Sequence, residues 1–237
     1  QHAPRDLTFE RVQLLRARGV ITMSLAYSGK TEYGGGYETD DGLTEKGADL
    51  VRNLTRAGIA VDISHASHHL ARDILELIRG EHLKTFPIAT HSGCYAVFEH
   101  PRNLPNDVLQ ELASLGGYIG IPLFGPLIAP EGTSIWHYAG EHLRHAVAVC
   151  GESAVGVGSD CQHFDMEYRA AELLFEHIVK LVKPSGPAYF PDRPKELIEH
   201  GSQMSVYVDK NLCQRFPEGV GKGIAGNNFR SYLARQL

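Results

Sequence analysis

The sequence lacks the long apolar runs and the basic clusters that mark two large classes of protein. No apolar stretch approaches the roughly 20 residues that a membrane-spanning helix needs, and no signal-peptide pattern follows Gln1. We therefore expect no membrane span, and a soluble, cytoplasmic protein is favoured over an exported one. The net charge is −5 and no basic stripe is present to follow phosphates, which argues against nucleic acid and for a small-molecule partner.

Cysteine is also scarce. The four cysteines have neither C-x-x-C spacing nor the density of a disulfide scaffold, so we expect them to be free and mostly packed. They are Cys94, Cys150, Cys161 and Cys213. The remaining composition, 43% hydrophobic and 22% charged over 237 residues, is typical of one globular domain. We predict a single domain over residues 1–237, with βα units to residue 183 and C-terminal helices over 184–237.

Short, almost continuously apolar runs alternate with stretches of helical period, a pattern typical of βα units around a buried parallel sheet. Strands are predicted at residues 19–25, 58–63, 86–90, 118–122 and 154–158. Helices are predicted at residues 6–18, 44–56, 68–79, 106–114, 140–149, 170–182, 194–200, 205–216 and 229–235. Two glycine-rich stretches, residues 28–36 and 125–132, are predicted to be long loops with a lid or binding role.

The predicted fold class is α/β, a TIM (β/α)8-type barrel of which about the last five βα units are present, followed by a C-terminal helical segment. A closed barrel of this type needs eight strands. Because the stretch after Arg169 has a helical pattern for most of its length, the remaining strands are expected to precede Gln1.

Three polar residues stand at the ends of predicted strands. His65 and His91 follow consecutive strands, and Asp160 follows a later one. The carboxyl ends of parallel strands meet at one rim, where TIM-barrel enzymes place their active sites. Neighbouring strands lie about 5 Å apart, so two imidazoles there can reach one metal ion, with a carboxylate nearby to move a proton. A single histidine at a strand end is more often a structural residue, and only the combination indicates a site.

Asp62 and the other histidines are interpreted differently. Asp62 lies an odd number of positions before His65, which predicts that it faces the opposite side of the pleat as a structural or ligand-supporting group. The histidines in helices and loops have no comparable context and are predicted to be ordinary surface or core residues. They include His68, His69, His82, His100 and His137.

Several segments together carry a family resemblance. They are VDISHAS at residues 61–67, THS at 90–92, HPRNLPND at 100–107, HLRH at 142–145, VGVGSD at 155–160 and GNNF at 226–229, with GLTEKG at 42–47 upstream. In order and spacing they resemble the membrane dipeptidase (renal dipeptidase) family, peptidase family M19, a group of amidohydrolase-type metallohydrolases. The similarity covers nearly the whole chain.

The resemblance implies a binuclear zinc dipeptidase that cleaves the peptide bond of dipeptides through a metal-bound hydroxide. It assigns His65 and His91 to one zinc ion, and gives Asp160 the task of moving the proton of the attacking water to the leaving amine. Arg102 is implied to pair with the carboxylate of the substrate, for which a planar guanidinium is suited. Because the family commonly pairs, the resemblance also raises the possibility of a homodimer.

The chain departs from the family pattern in two places. Neither the H-x-D motif of the first strand nor the bridging glutamate after the third has a counterpart, so this chain supplies ligands for one metal. Tyr27 stands where the family usually has a histidine that polarises the scissile carbonyl. A tyrosine hydroxyl also donates a hydrogen bond to an oxyanion, but it carries no positive charge. We therefore assign Tyr27 to substrate binding.

Three interpretations remain open from the sequence. The first is part of an active dipeptidase whose other ligands lie in a preceding segment, and we favour it because an open five-stranded sheet leaves an apolar edge. The second is a divergent amidohydrolase that acts on another small amide or lactone, for which Tyr27 is the best support. The third is a catalytically inactive binding protein of the same fold, against which the joint presence of the proposed site residues argues.

Overall fold

The computed structural model describes residues 3–130, 132–160 and 212–236. Five strands form one sheet, and every neighbouring pair is parallel in the order β1-β2-β3-β4-β5. The strands are β1 (Thr22–Ser24), β2 (Ala60–Asp62), β3 (Ile88–Ala89), β4 (Tyr118–Ile121) and β5 (Val155–Val157). The predicted α/β class, with five parallel strands in sequence order, is confirmed.

The strands are shorter than the apolar runs that predict them, and β3 shows why. Its ladder covers two residues where the sequence predicts five. On one side Pro87 has no N–H to donate to a neighbouring strand. On the other side the N–H of Thr90 donates to the carboxylate of Asp62 at 3.2 Å, so the hydrogen bond that would extend the ladder goes to a side chain.

Eight α-helices lie within the described residues. They are α1 (Phe9–Ala17), α2 (Glu45–Arg56), α3 (His68–Gly80), α4 (Asn106–Ser114), α5 (Gly125–Ile128), α6 (Ile135–Cys150), α7 (Glu218–Lys222) and α8 (Asn228–Gln236). Capping residues set two of the predicted starts. The hydroxyl of Thr44 accepts from the N–H of Gly47 at 3.0 Å, and that of Ser67 accepts from Leu70 at 2.9 Å. The predicted helices around α1, α2, α3, α4 and α8 are therefore confirmed, within a few residues at each end.

Two predictions in the segment between β4 and β5 are wrong. Helix α6 begins at Ile135 and not at residue 140, because the Ser134 hydroxyl caps it by accepting from the N–H of His137. The glycine-rich stretch 125–132, predicted as a loop, contains the short helix α5. Proline at its first turn is compatible with a helix start because no intrahelical donor is needed there.

The C-terminal helix predictions divide between described and undescribed residues. The predicted helices 170–182 and 194–200, and residues 205–211 of the next, lie outside the described ranges. Where the third prediction, residues 205–216, falls on described residues, the chain forms a 3-10 turn at Cys213–Arg215 and Phe216 is extended. Phe216 is not helical because Pro217 disfavours helical backbone in the residue before it.

The core lies between the sheet and the helices that follow each strand. Leu50 and Leu54 of α2 and Leu70, Ile74 and Ile78 of α3 are almost completely buried against it. No helix of the described residues is both long and apolar enough to cross a membrane. Cys94 and Cys150 are free thiols, as predicted, Cys213 is buried, and Cys161 lies outside the described residues.

Helix α8 covers the amino end of β3. Tyr232 is fully buried, and its hydroxyl donates to the carbonyl of Phe86 at 2.7 Å. The N–H of Phe86 in turn donates to the side chain of Gln236 at 3.0 Å, and the guanidinium of Arg235 lies over the Phe86 ring at 5.5 Å. These contacts hold the end of the sheet opposite to the rim where His65 and His91 lie.

Candidate metal and substrate site

The two predicted metal ligands meet at the carboxyl ends of β2 and β3. The Nε2 atoms of His65 and His91 are 2.9 Å apart, and their ring centroids are 4.9 Å apart. His65 is only 5% exposed. Asp160, three residues beyond β5, places Oδ1 at 3.9 Å from Nε2 of His91. The three side chains that the strand ends predict to be neighbours therefore lie together in the structure.

Asp62, the last residue of β2, binds the residues that precede His65 and His91. Its Oδ1 accepts from the N–H and the hydroxyl of Ser64, at 3.0 and 2.6 Å, and from the N–H of Thr90. Its Oδ2 accepts from the Thr90 hydroxyl at 2.6 Å, and that hydroxyl lies 2.7 Å from Nδ1 of His91. Asp62 therefore ties the ends of β2 and β3 together directly beneath the ring of His91.

Arg102 reaches the site from the loop before α4. It is 3% exposed, and its Nη2 donates to the carbonyl of His91 at 3.1 Å. Its guanidinium carbon lies 5.6 Å from the centre of the Tyr37 ring. The buried Nη1 has no hydrogen-bond partner among the residues that the structure describes. A buried, charged N–H group without an acceptor lowers the stability of the fold, and a ligand that supplies an acceptor removes this cost.

Two tyrosines line the exposed side of His65. Tyr27 stacks on the imidazole with ring centroids 4.2 Å apart and is itself 42% exposed. Tyr37 lies 6.1 Å from the same ring in a tilted arrangement. The sequence argument missed Tyr37. The available signal was Gly36 beside it, where an added Cβ would lie 2.4 Å from the carbonyl of Tyr27; this close approach holds the two tyrosines next to each other.

Burial sets the electrostatics of the site. It lowers the pKa of His91, against the opposing effect of Asp160, and so favours the neutral imidazole that binds metals. Burial raises the pKa of Asp160, although His91 and Arg102 both act to lower it. Burial also lowers the pKa of the Arg102 guanidinium, with Asp160 and Asp62 opposing. Arg102 is almost completely buried, whereas the side chains of His91 and Asp160 remain 15% and 33% exposed, so the shift at Arg102 has the firmest structural basis.

The donor set fits part of a metal site. Two imidazoles that converge through Nε2 are suited to zinc and to other borderline metals. Across residues 3–130, 132–160 and 212–236, no three histidine, cysteine, aspartate or glutamate side chains are grouped so as to hold a metal ion. Within these ranges, His65 and His91 are the pair whose ring nitrogens converge, and that they hold one metal ion stays a prediction.

The remaining described histidines take structural or surface positions. Nε2 of His68 bonds to the carbonyl of Asn103 at 2.8 Å, and Nδ1 of His100 accepts from the N–H of Arg102 at 3.1 Å. His142 is completely buried in α6, where Nδ1 accepts from the N–H of Cys94 at 2.8 Å and Nε2 donates to the carbonyl of Ile128 at 2.9 Å. His142 therefore fixes the loop that begins at His91.

Comparisons with known proteins agree on a family. Residues 6–172 match the sequence model of the membrane dipeptidase family, peptidase family M19. An uncharacterized dipeptidase of Schizosaccharomyces pombe is 32% identical over 123 residues, which are 51% of this chain and 28% of the yeast protein. The aligned region therefore spans less than a third of that relative.

Solved structures share the fold. An amidohydrolase from Pseudomonas aeruginosa superposes with a TM-score of 0.75 at 21% identity, over 97% of this chain and 68% of that one. A metallo peptidase from Rhodobacter sphaeroides, liganded with a phosphinate mimic of the dipeptide L-Ala-D-Ala, gives 0.68 at 22% identity, over 95% and 58%. These likenesses show that the chain shares the fold of those two proteins, in agreement with the predicted partial barrel.

Proposed function

Because this chain belongs to the membrane dipeptidase family, peptidase family M19, we propose that it acts within a zinc-dependent dipeptidase that hydrolyses the peptide bond of dipeptides. The observation that carries the proposal is the convergence of the Nε2 atoms of His65 and His91 at 2.9 Å, on neighbouring strand ends and largely out of water. This arrangement brings two nitrogens that can bind zinc close enough to share one metal ion.

His65 and His91 are the residues that hold the metal in this proposal. When bound, the metal supplies Lewis acidity, which polarises a carbonyl and makes water a nucleophile near neutral pH. Asp160 holds the proton of the attacking water at its carboxylate and passes it to the leaving amine. The raised pKa of Asp160 suits this task, because a carboxyl group with a pKa nearer neutrality takes up and releases a proton more evenly.

Arg102 binds the carboxylate of the dipeptide through the buried Nη1 that has no partner in the described part of the chain. Its Nη2 is anchored on the carbonyl of His91, so the bound carboxylate is placed at a fixed distance from the metal ligands. Tyr27, on the open side of His65, donates its hydroxyl to the carbonyl oxygen of the scissile bond. The peptide bond then lies between Tyr27 and Asp160.

Metal content and hydrolysis together test the proposal. The purified chain should bind about one zinc, and His65→Ala and His91→Ala should each lose it. His69→Ala is the matched control, because His69 is an exposed histidine of α3 whose Nδ1 bonds to the carbonyl of Asp40. L-Ala-D-Ala, whose phosphinate mimic is bound in the Rhodobacter structure, serves as the substrate. A folded wild-type chain that binds no zinc would contradict the proposal.

Substrate binding is tested separately with Arg102→Lys. An ammonium lacks the fork of the guanidinium, and a hydrogen bond to a charged group contributes about 1.5–3 kcal/mol, so KM should rise about 10- to 100-fold. The zinc content should stay at the wild-type value. An unchanged KM would show that Arg102 does not hold the substrate.

The second candidate is a divergent amidohydrolase of the same fold that acts on another small amide or a lactone. Its support is Tyr27, which lies against His65 where the family resemblance leads us to expect a histidine. Assays of a zinc-loaded chain against L-Ala-D-Ala, a simple N-acyl amide and a simple lactone separate the two candidates. Hydrolysis of the lactone or amide alone favours this alternative, and binding without hydrolysis of any substrate favours a catalytically inactive protein.

A further inference from the structure

The hydrogen bonds around Asp62 fix the direction of the hydroxyl protons beside His91. A carboxylate accepts hydrogen bonds and donates none. Asp62 is the acceptor for the hydroxyls of both Ser64 and Thr90, each at 2.6 Å. Each hydroxyl has one hydrogen, and both hydrogens therefore point toward Asp62.

These hydrogen bonds also determine which ring nitrogen of His91 carries the proton. The Thr90 oxygen lies 2.7 Å from Nδ1 of His91, but its hydrogen is already given to Asp62. Thr90 can then only accept from Nδ1, so Nδ1 carries the imidazole proton. In the neutral ring the other nitrogen, Nε2, must present its lone pair, and it points toward Nε2 of His65.

We propose that Asp62, acting through the hydroxyl of Thr90, is a positioning residue that holds His91 in the Nδ1–H tautomer. In that tautomer Nε2 is ready to bind a metal without a proton having to move. The opposite tautomer would place a hydrogen where the metal is to bind. Ser64, at 1% exposed, shields the Asp62 end of this network from water.

The ring is held in angle as well as in protonation. The hydroxyl of Ser64 accepts from the backbone N–H of His91 at 3.0 Å, and the Thr90 N–H donates to Asp62 at 3.2 Å. The backbone and the imidazole of His91 are thus both linked to the carboxylate of Asp62, through the hydroxyls of Ser64 and Thr90. Removal of such a partner beneath a histidine ligand typically weakens metal binding by about 10- to 100-fold.

The most informative variant is Asp62→Asn, because the structure determines how the amide must sit. The Oδ1 position faces three donors, from Ser64 and Thr90, so the amide oxygen takes it. The NH2 group then takes the Oδ2 position and donates to the Thr90 hydroxyl. The hydrogen of that hydroxyl has two acceptors within reach, Nδ1 of His91 at 2.7 Å and Oγ of Ser64 at 3.1 Å, and we expect it to turn to the nearer one, Nδ1. Thr90 becomes the donor to Nδ1, and the proton of His91 moves to Nε2.

A second variant, Thr90→Val, removes the relay and keeps the side-chain shape, whereas Thr90→Ser keeps the hydroxyl. Thr85→Val is the matched control, since Thr85 lies in the same segment with a buried hydroxyl that has no partner among the described residues. Thr90→Ser and Thr85→Val should resemble the wild type. Unfolding temperatures of the metal-free proteins are measured for all four variants to identify any general loss of structure.

Two readouts are measured for each protein. Ring nitrogen shifts from ¹⁵N-histidine NMR at a pH where His91 is neutral report the tautomer without any metal, and competition with a chromophoric chelator gives the zinc Kd. We expect the Nδ1–H form in the wild type, the Nε2–H form in Asp62→Asn, and a mixture in Thr90→Val. Zinc binding should weaken about 10- to 100-fold in both of these variants.

The outcomes separate this inference from the proposed function on which it rests. A wild-type His91 in the Nε2–H form, or an unchanged tautomer in both variants, overturns the inference even if zinc binds. Tautomers as expected with unchanged zinc Kd values overturn the claim that the relay serves metal binding. Absence of zinc binding by the wild type contradicts the proposed function, while the NMR result still decides whether Asp62 sets the tautomer.

Discussion

Replacing His142 by glutamine should remove a large part of the acid sensitivity of the fold. Burial lowers the pKa of His142 from 6.5 to about 4, with a further lowering from His145, against opposing effects of the Ile128 carbonyl and Glu141. In the native state Nδ1 must stay unprotonated to accept from the N–H of Cys94. Protonation therefore costs both a hydrogen bond and the burial of a charge.

The sign and size of the effect follow from this pKa. Since the folded pKa lies below the unfolded one, the unfolded chain takes up the proton first as pH falls. The stabilisation from the neutral ring is complete above about pH 6.5 and is lost progressively down to about pH 4. At pH 5 the loss is about 1.5 pH units at about 1.4 kcal/mol per unit, or about 2 kcal/mol.

Urea unfolding at pH 7 and at pH 5 measures this difference. The wild type should lose about 2 kcal/mol more than His142→Gln between the two pH values. Glutamine keeps a donor for the Ile128 carbonyl but leaves the N–H of Cys94 unpaired, so the variant should be about 1–3 kcal/mol less stable at pH 7.

His69→Gln, at an exposed histidine of α3, is the matched control and should lose as much stability between the two pH values as the wild type. His100, whose pKa burial also lowers to about 4, contributes equally in all three proteins. The difference between wild type and His142→Gln therefore isolates His142. Equal losses in these two proteins between pH 7 and pH 5 would refute the reasoning.

Three further substitutions have effects that the packing determines. Ser67→Ala removes a buried hydroxyl that both caps α3 and donates to the carbonyl of Asp41 at 2.7 Å. Urea unfolding should show that the free energy of unfolding falls by about 2 kcal/mol. A fall of less than about 0.5 kcal/mol would contradict this expectation. Gly158→Ala would place its Cβ 1.8 Å from the carbonyl oxygen of Thr90. The free energy of unfolding in urea should therefore fall by about 3 kcal/mol or more. A urea midpoint equal to that of the wild type would be inconsistent with this contact. Gly80→Ala, at the end of α3 with no heavy atom within 4 Å of the new Cβ, should instead raise the free energy of unfolding by about 0.5–1 kcal/mol.

Much of the fold could be predicted because the local signals agree with the tertiary structure. The five apolar runs contain the five strands, and the caps at Thr44 and Ser67 mark true helix starts. The start of α6 was missed because its first residues, Ile-Trp-His-Tyr, are modest helix formers and the capping Ser134 follows a loop. The two-residue length of β3 depends on a carboxylate from the neighbouring strand, which no local pattern contains.

The candidate site, like the fold, could be predicted only in part from the sequence. The meeting of His65 and His91 follows from parallel strands of adjacent order, which the sequence indicates. Alternation along a strand suggested that Asp62 faces away from His65, but the ladder of β2 ends at Asp62, so its carboxylate is free to turn toward Thr90 on the next strand end. Tyr37 comes from a loop whose path depends on close backbone approaches, and these have no periodic signal.

The contacts of α8 with β3 also bear on how the chain is made. The hydrogen bond between Phe86 and Gln236 joins residues 150 positions apart, and the bond from Tyr232 to Phe86 spans 146. At about 5–20 residues per second, a ribosome needs about 8–30 s to travel that distance. The last strand, β5, ends at Val157, so over the final 79 residues, about 4–16 s, a nascent chain contains all five strands while the amino end of β3 still has no cover. Chaperones that bind exposed apolar strand ends would find their target on this protein during synthesis and lose it once α8 has emerged.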